Sequence, residues 1–137
     1  IKEMKIKKIT PKITNFLKKE TRSFKNAFKG IAFFLKSETH AKIHLIVAFI
    51  VIAAGFVLKI NLTEWCIIII SIGFVLTSEA INTAIEKIID LVSPEYNKIA
   101  GIVKDIAAGA VLISSITVAV VGLIIFLPKI IQIFPFH

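Results

Sequence analysis

The chain has 137 residues, 56% of them hydrophobic, and carries a formal net charge of +8 at pH 7. Its mean hydropathy of +0.86 is too high for a soluble domain of this length, so the composition predicts an integral membrane protein. The one cysteine, Cys66, excludes a disulfide within the chain. The first long apolar run starts near Ile43, after a lysine-rich segment, so no cleaved signal peptide is expected.

The N-terminal part of the chain is strongly basic, because residues 1–42 hold twelve of the seventeen lysines and arginines. Residues 1–20 form a basic segment, and residues 21–37 are predicted to form an amphipathic helix on the inner membrane surface. A basic segment can also be an arm that binds nucleic acid, but an apolar stripe that leads straight into a membrane span favours the surface helix. The residues of this stripe are Phe24, Ala27, Phe28, Ile31, Ala32 and Leu35.

Three apolar stretches, at 42–60, 62–92 and 100–127, have about the 20 helical residues that a bilayer requires. The link between the first two is very short and predicts an antiparallel hairpin, with Trp65 as an anchor at the membrane interface. Pro94 and Gly101 separate the second span from the third, and Pro128 marks the start of a short tail. The predicted fold is therefore all-α, with three transmembrane helices.

The distribution of basic residues predicts how the chain is oriented in the membrane. The N-terminal segment is rich in lysine, whereas the turn near residue 60 carries only Lys59. By the positive-inside rule, the N-terminus and the loop at 93–101 are cytoplasmic, and the turn at 61–64 and the C-terminus are outside.

The second span carries polar residues where it leaves the hydrocarbon core. If the helix enters this core near Leu62, a thickness of roughly 30 Å is crossed near Ile81. Glu79 then lies just inside the boundary, and Glu86 lies about 7 Å beyond it. An ionisable group at membrane depth costs energy and seldom persists without a partner or a function.

These polar residues share one face of the predicted helix, because Glu86 and Asp90 each fall within roughly 20° of Glu79 and Asn82 flanks them. Two structural interpretations remain open. Glu79 and Asn82 can be polar contacts between helices, and Lys87 and Asp90 can be the solvated end of a long helix. We also expect that three spans cannot enclose Glu79 and Asn82, so that a neighbouring subunit covers them.

Further charged residues lie on the same predicted side of the membrane, namely Glu38 at the start of the first span and Lys104 and Asp105 at the start of the third. Several carboxylates and an amide near a lysine suit a divalent metal ion that delivers a phosphorylated substrate. The chain has no G-x-x-x-x-G-K-[ST] loop. His40 and His44 are interpreted as interfacial residues, since no second His or Cys stands at metal-ligand spacing.

One segment resembles a known family. EAINTAIEKIIDLVSPEYNKIAGIVKDIAAGAVL (79–112) resembles the signature region of the small prokaryotic diacylglycerol kinase family, whose Gram-positive branch phosphorylates undecaprenol. SFKNAFKGI (23–31) and SETHAKIHL (37–45) are similar to the surface helix and the first-span entry of that family. The resemblance covers about residues 20 to 127.

The resemblance implies a homotrimer in a bacterial plasma membrane that transfers the γ-phosphoryl group of ATP to the primary hydroxyl of a lipid. Glu79 matches the catalytic carboxylate, a general base, and Asn82 matches the asparagine beside it. The remaining matches are Glu38 and Glu86, which hold Mg²⁺ against the nucleotide phosphates, and Lys104 and Asp105, which help to hold the nucleotide.

The lipid is predicted to be undecaprenol, with diacylglycerol as the alternative. Diacylglycerol enzymes of the family carry S-G-R-A-K-D where this chain has AGIVKD (100–105), and a glutamate where it has His44. A function from another class is a small proton-coupled transporter that uses Glu79 as its intramembrane carboxylate, and a third is a bundle with no enzymatic role. The transporter accounts for Glu79 but leaves Asn82, Glu86, Lys104 and Asp105 unexplained.

Overall fold

The computed structural model describes the backbone of residues 2–133 and the side chains of residues 15–133. Within this range the chain is all-helical, with helices α1 (Lys2–Ser37), α2 (Thr39–Val57), α3 (Leu62–Val92) and α4 (Lys98–Ile133). α2, α3 and α4 are each long and apolar enough to cross a membrane. The prediction of an all-α, multi-pass membrane protein with three spans is confirmed.

α1 is a compact unit of its own, and α2, α3 and α4 belong to a second unit that starts at Glu38. The helix predicted over residues 21–37 lies within α1, which extends N-terminally to Lys2. Large apolar side chains of the predicted stripe, such as Phe24, Phe28 and Ile31, are exposed.

α2 ends at Val57, three residues before the predicted end of the first span at residue 60. The helix stops because the chain reverses in a Schellman motif, in which the Ile60 N–H donates to the Gly55 carbonyl at 3.1 Å and the Lys59 N–H donates to the Phe56 carbonyl at 3.3 Å. Lys59 adopts the left-handed conformation that this motif requires, with φ of 49°.

α3 starts directly after this reversal, at a capping box. The Asn61 side chain accepts from the Glu64 N–H at 3.0 Å, and the Glu64 carboxylate accepts from the Asn61 N–H at 2.7 Å. Trp65, in the first turn, packs against the last turn of α2, where a Cβ on Gly55 would lie 2.8 Å from the indole ring. The absence of a side chain at Gly55 therefore lets α2 and α3 approach each other closely at the turn.

α4 packs against α3 in antiparallel orientation, with an ion pair at each end of the interface. Lys104 Nζ lies 2.5 Å from Asp90 Oδ1, and Lys129 Nζ lies 3.0 Å from Glu64 Oε2. At 1.5 Å per residue, Glu64 and Asp90 are about 39 Å apart along α3. Since a bilayer with its headgroup regions is roughly 40 Å thick, this spacing puts one ion pair near each membrane interface.

α4 is longer than the predicted third span. It starts at Lys98 and continues through Gly101 and Pro128 to Ile133, whereas the sequence predicted a helix over 100–127 with a tail from Pro128 onward. A proline inside a helix removes one backbone hydrogen bond, a loss that transmembrane helices tolerate when neighbouring groups support the backbone. The ion pair of Lys129 with Glu64 holds the turn that follows Pro128.

The interior of α2, α3 and α4 changes character along its length. Near the α2–α3 turn it is an apolar cluster of Ile60, Ile68 and Ile125. Toward the other end of α3 the buried side chains are polar, and they belong to Glu79, Asn82, Thr83 and, on α4, Ser114. Most of the remaining apolar side chains of these helices are exposed, as expected for surfaces that face lipid.

The Glu64–Lys129 ion pair yields a stability prediction. Both side chains are about three-quarters covered, at 21% and 25% exposed, so each single change, Glu64→Gln or Lys129→Gln, is expected to lower resistance to SDS-induced unfolding modestly. Gln at position 64 retains an oxygen that can accept from the Asn61 N–H of the capping box. Both single variants therefore lose the same interaction, the ion pair between positions 64 and 129. The double variant is then expected to be no less stable than either single one. Lys59→Gln, at an exposed lysine of the same turn, is the matched control, and additive losses in the double variant would contradict the coupling.

Candidate functional site

The polar face predicted on α3 lies inside the second unit. Glu79, Asn82 and Thr83 are buried, at 4%, 9% and 6% exposed, while Glu86 is half-buried and Asp90 is exposed. The face therefore runs from a buried carboxylate to one that is open to solvent. The expectation that a neighbouring subunit must cover Glu79 and Asn82 was wrong, because side chains of this one chain already exclude solvent from both.

Asn82 connects the buried and the exposed ends of this face. Its Nδ2 donates to Glu86 Oε1 at 3.2 Å, one helical turn away. A carboxylate accepts but does not donate hydrogen bonds, so this contact fixes which way the amide points. Asn82 Oδ1 is then buried with no hydrogen-bond partner in the described part of the chain. Such an orphaned acceptor costs stability unless a ligand supplies a donor or a cation.

Glu79 lies three residues before Asn82, on the adjacent turn of α3. Among residues 15–133, its carboxylate makes no hydrogen bond or ion pair. A buried carboxylate without a partner is costly in a membrane protein and marks a functional site by default. Polar contact between helices, the structural alternative for Glu79, would require a partner that this part of the chain does not provide.

Glu38 lies at the N-cap position of α2, and Lys87 of α3 contacts it. Lys87 Nζ is 3.4 Å from Glu38 Oε1, and the Glu38 side chain is only 19% exposed. The sequence assigned Lys87 to the solvated end of the helix. No signal of helical spacing could reveal this contact, since the two residues belong to different helices.

Lys104 and Asp105, which follow each other on α4, have different surroundings. Lys104 pairs with Asp90 and thus joins the polar face of α3. Asp105 is exposed, and within residues 15–133 its side chain makes no hydrogen bond or ion pair. Consecutive helical residues point about 100° apart, which explains why only one of the two reaches α3.

The oxygen-rich donor set fits a magnesium ion that is held partly by phosphates. No group of three His, Cys, Asp or Glu side chains converges among the residues described. Mg²⁺ is commonly bound through one or two carboxylates together with substrate phosphates, so a convergent triad is not required. The half-buried carboxylate of Glu86 and the orphaned Asn82 Oδ1 beside it are oxygen donors of the preferred type.

The second unit has an apolar groove of about 630 Å³, whose lining does not include Glu79. All three helices of the second unit line it, and its lining includes Val75 and Leu76, which lie one turn or less before Glu79 on α3. The groove is large enough and apolar enough to hold part of a hydrocarbon chain. The polar face of α3 and the apolar groove thus lie next to each other along this helix.

Comparison with known proteins identifies relatives along most of the chain. Residues 25–126 match the family model described as prokaryotic diacylglycerol kinase. Undecaprenol kinase of Bacillus subtilis (strain 168) is 36% identical over 115 residues, which cover 84% of this chain and 94% of that protein. Diacylglycerol kinase of Synechocystis sp. (strain ATCC 27184 / PCC 6803 / Kazusa) is 32% identical over 111 residues, or 80% of this chain and 63% of that protein. The resemblance found in the sequence is confirmed: the chain belongs to the prokaryotic diacylglycerol kinase family and is a lipid kinase.

Proposed function

We propose that this chain transfers the γ-phosphoryl group of ATP to the primary hydroxyl of undecaprenol. The observation that carries the proposal is the unpartnered carboxylate of Glu79, buried on the polar face of α3 next to the apolar groove. The choice of undecaprenol is supported by the relative of that name, whose length is almost fully covered, and by the AGIVKD run and His44. Diacylglycerol is the alternative lipid, supported by the Synechocystis relative.

Glu79 acts as the general base in this proposal, and Asn82 positions the lipid. Asn82 Nδ2, which uses one of its two hydrogens for Glu86, donates the other to the oxygen of the arriving hydroxyl, whose own hydrogen is directed to Glu79. The hydroxyl proton passes to the Glu79 carboxylate as the oxygen forms a bond to the γ-phosphorus, and the bond from that phosphorus to the bridging oxygen of ADP breaks. Burial suits Glu79 to this role, because a site that excludes water protects the phosphoryl group from hydrolysis.

Glu38 and Glu86 would hold Mg²⁺ against the phosphates, and Lys104 and Asp105 would contact the nucleotide. When bound, the ion neutralises charge on the transferred phosphoryl group. Glu86 is oriented for this by the hydrogen bond from Asn82. Lys104 offers a positive charge at the exposed end of the face, beside Asp90. Phosphoryl transfer depends on positioning and charge neutralisation, so a site without a phosphate-binding loop is chemically sufficient.

The proposed enzyme is a homotrimer in a bacterial plasma membrane, with its site on the cytoplasmic side. The trimer follows from the family resemblance. The concentration of basic residues in the first 42 positions supports a cytoplasmic N-terminus. The exposed apolar side chains of α1 from residue 24 onward, interspersed with lysines, support a helix that lies on the inner leaflet.

The orientation can be tested by labelling single cysteines in intact cells and in inverted vesicles. In a Cys66→Ser background, Tyr96→Cys is expected to react only from the cytoplasmic side and Thr63→Cys only from outside. Tyr96 lies in the α3–α4 link and Thr63 in the first turn of α3, and both are exposed. Neither side chain caps a helix, whereas the side chains of Asn61 and Asn97 cap α3 and α4. Reaction in the reverse sense would put the site out of reach of cytoplasmic ATP and end the proposal.

The lipid substrate can be tested by offering undecaprenol and diacylglycerol to the purified enzyme with radiolabelled ATP. Equal mole fractions of the two lipids in mixed micelles make the rates comparable. We expect the value of kcat/KM for undecaprenol to exceed that for diacylglycerol by about tenfold or more, a difference of about 1.4 kcal/mol in transition-state binding. A preference for diacylglycerol would support the alternative lipid and leave the kinase assignment intact.

The role of Glu79 can be tested with Glu79→Gln, which retains the shape of the side chain and removes its basicity. The transfer rate is expected to fall by about 10² or more, while binding of Mg·ATP and the cross-linked trimer remain as in the parent protein. Glu95→Gln, at an exposed carboxylate in the α3–α4 link, is the matched control and is expected to keep full activity. Near-normal turnover combined with loss of the assembly would instead make Glu79 a structural contact between helices.

A further inference from the structure

We propose that Lys87 is a phosphate-binding residue that exchanges partners: it pairs with Glu38 in the nucleotide-free chain and moves to the nucleotide phosphates when Glu38 takes a metal ion. This inference rests on the proposed function. Lys87 lies beside Glu86 on α3, but its side chain is directed to Glu38 of α2, with Nζ 3.4 Å from Oε1. The ammonium group of Lys87 is therefore paired with one of the two carboxylates that are proposed to hold the metal ion.

The two partners differ in how firmly they are held. The Glu38 side chain is 19% exposed and starts at the N-cap position of α2, whereas the Lys87 side chain is 54% exposed. Because the lysine is more than half exposed and its Nζ is 3.4 Å from the carboxylate oxygen, water can replace Glu38 as its partner at small cost. The carboxylate stays in place, and the lysine, on a flexible four-carbon stem, is the partner that can leave.

The charges around the site indicate which group would bind Lys87 once it leaves Glu38. Without a nucleotide, Lys87 offsets the charge of Glu38, and Lys104 offsets that of Asp90. A divalent cation on Glu38 would repel the nearby ammonium group, while the nucleotide brings phosphate oxygens that still carry net negative charge. Lysine is a common ligand for phosphate, and the sequence has no G-x-x-x-x-G-K-[ST] motif that would form a phosphate-binding loop.

Because Lys87 competes with the metal but assists the nucleotide, its removal should have opposite effects on two affinities. With Lys87→Gln, we expect Mn²⁺ alone, followed by electron paramagnetic resonance, to bind about two- to fivefold more tightly, which is the effect of losing one exposed competing charge. The Mg²⁺ complex of a non-hydrolysable ATP analogue, followed by calorimetry, should bind about two- to fivefold more weakly. Lys87→Arg, which keeps the charge, should leave both affinities close to those of the parent.

The control is Lys98→Gln, which removes the same charge at an exposed lysine that makes no ion pair with residues 15–133. It should change neither affinity. Loss of folding would weaken both affinities, and a purely long-range charge effect, which favours the cation and disfavours the anion, would appear equally in Lys98→Gln. Either of these results would overturn the inference.

Glu38→Gln separates this inference from the function on which it rests. If Glu38 is a metal ligand, the variant binds Mn²⁺ more weakly, and adding Lys87→Gln to it no longer tightens Mn²⁺ binding. Weaker Mn²⁺ binding in Glu38→Gln together with no effect of Lys87→Gln would refute the partner exchange alone. Unchanged Mn²⁺ binding in Glu38→Gln would refute the proposed metal role of Glu38, and the partner exchange with it.

Discussion

The antiparallel packing of α3 on α4 is the constraint on which the rest of the molecule depends. Its register is held by an ion pair at each end, Glu64 with Lys129 and Asp90 with Lys104. A slip of one helical turn moves the helices by about 5.4 Å, so it would break both pairs at once and carry Lys104 away from the carboxylates of α3. The geometry of the polar face is therefore fixed by contacts at the two ends of the helices, one of them far from the reacting groups.

This arrangement suits the energetics of helices in lipid. Packing two apolar helices together in a membrane gains little from the hydrophobic effect, because lipid tails are as apolar as the side chains. Polar and charged contacts thus contribute more to specificity than the small apolar cluster around Ile68 does. The interior near Glu79 can be polar without loss of a core, and the cost of burying an unpartnered carboxylate is tolerated where that group has a chemical function.

The sequence predicted those features that depend on one helix at a time. Length and hydropathy found the three spans, and a period of 3.6 residues placed Glu79, Asn82 and Glu86 on one face, with burial that decreases toward Asp90. Contacts between helices could not be predicted in this way. The Glu38–Lys87 and Glu64–Lys129 pairs join residues far apart in the chain, and each depends on a register that periodicity does not contain.

Two further differences have local causes. Pro128 was predicted to follow the end of the third span, but α4 continues past it. The loss of a single backbone hydrogen bond does not outweigh the packing of α4 and the ion pair of Lys129 with Glu64. The burial of Glu79 within one chain was missed because helical periodicity reports which face is polar and not what covers it. Small buried residues on neighbouring helices, such as Ser114 of α4, allow helices to pack closely around polar side chains.

In the proposed function, the gradient of burial along α3 would separate the two substrates. A hydroxyl that cannot leave the membrane would meet the buried end, at Glu79, and a hydrated nucleotide would meet the exposed end, near Glu86 and Lys104. The lipid chain would then lie outside this polar face, against apolar surface such as the groove. Recognition of the chain and chemistry at the hydroxyl would then use different residues. On this proposal one set of charged groups could serve different lipid alcohols, in keeping with relatives that are named for undecaprenol and for diacylglycerol.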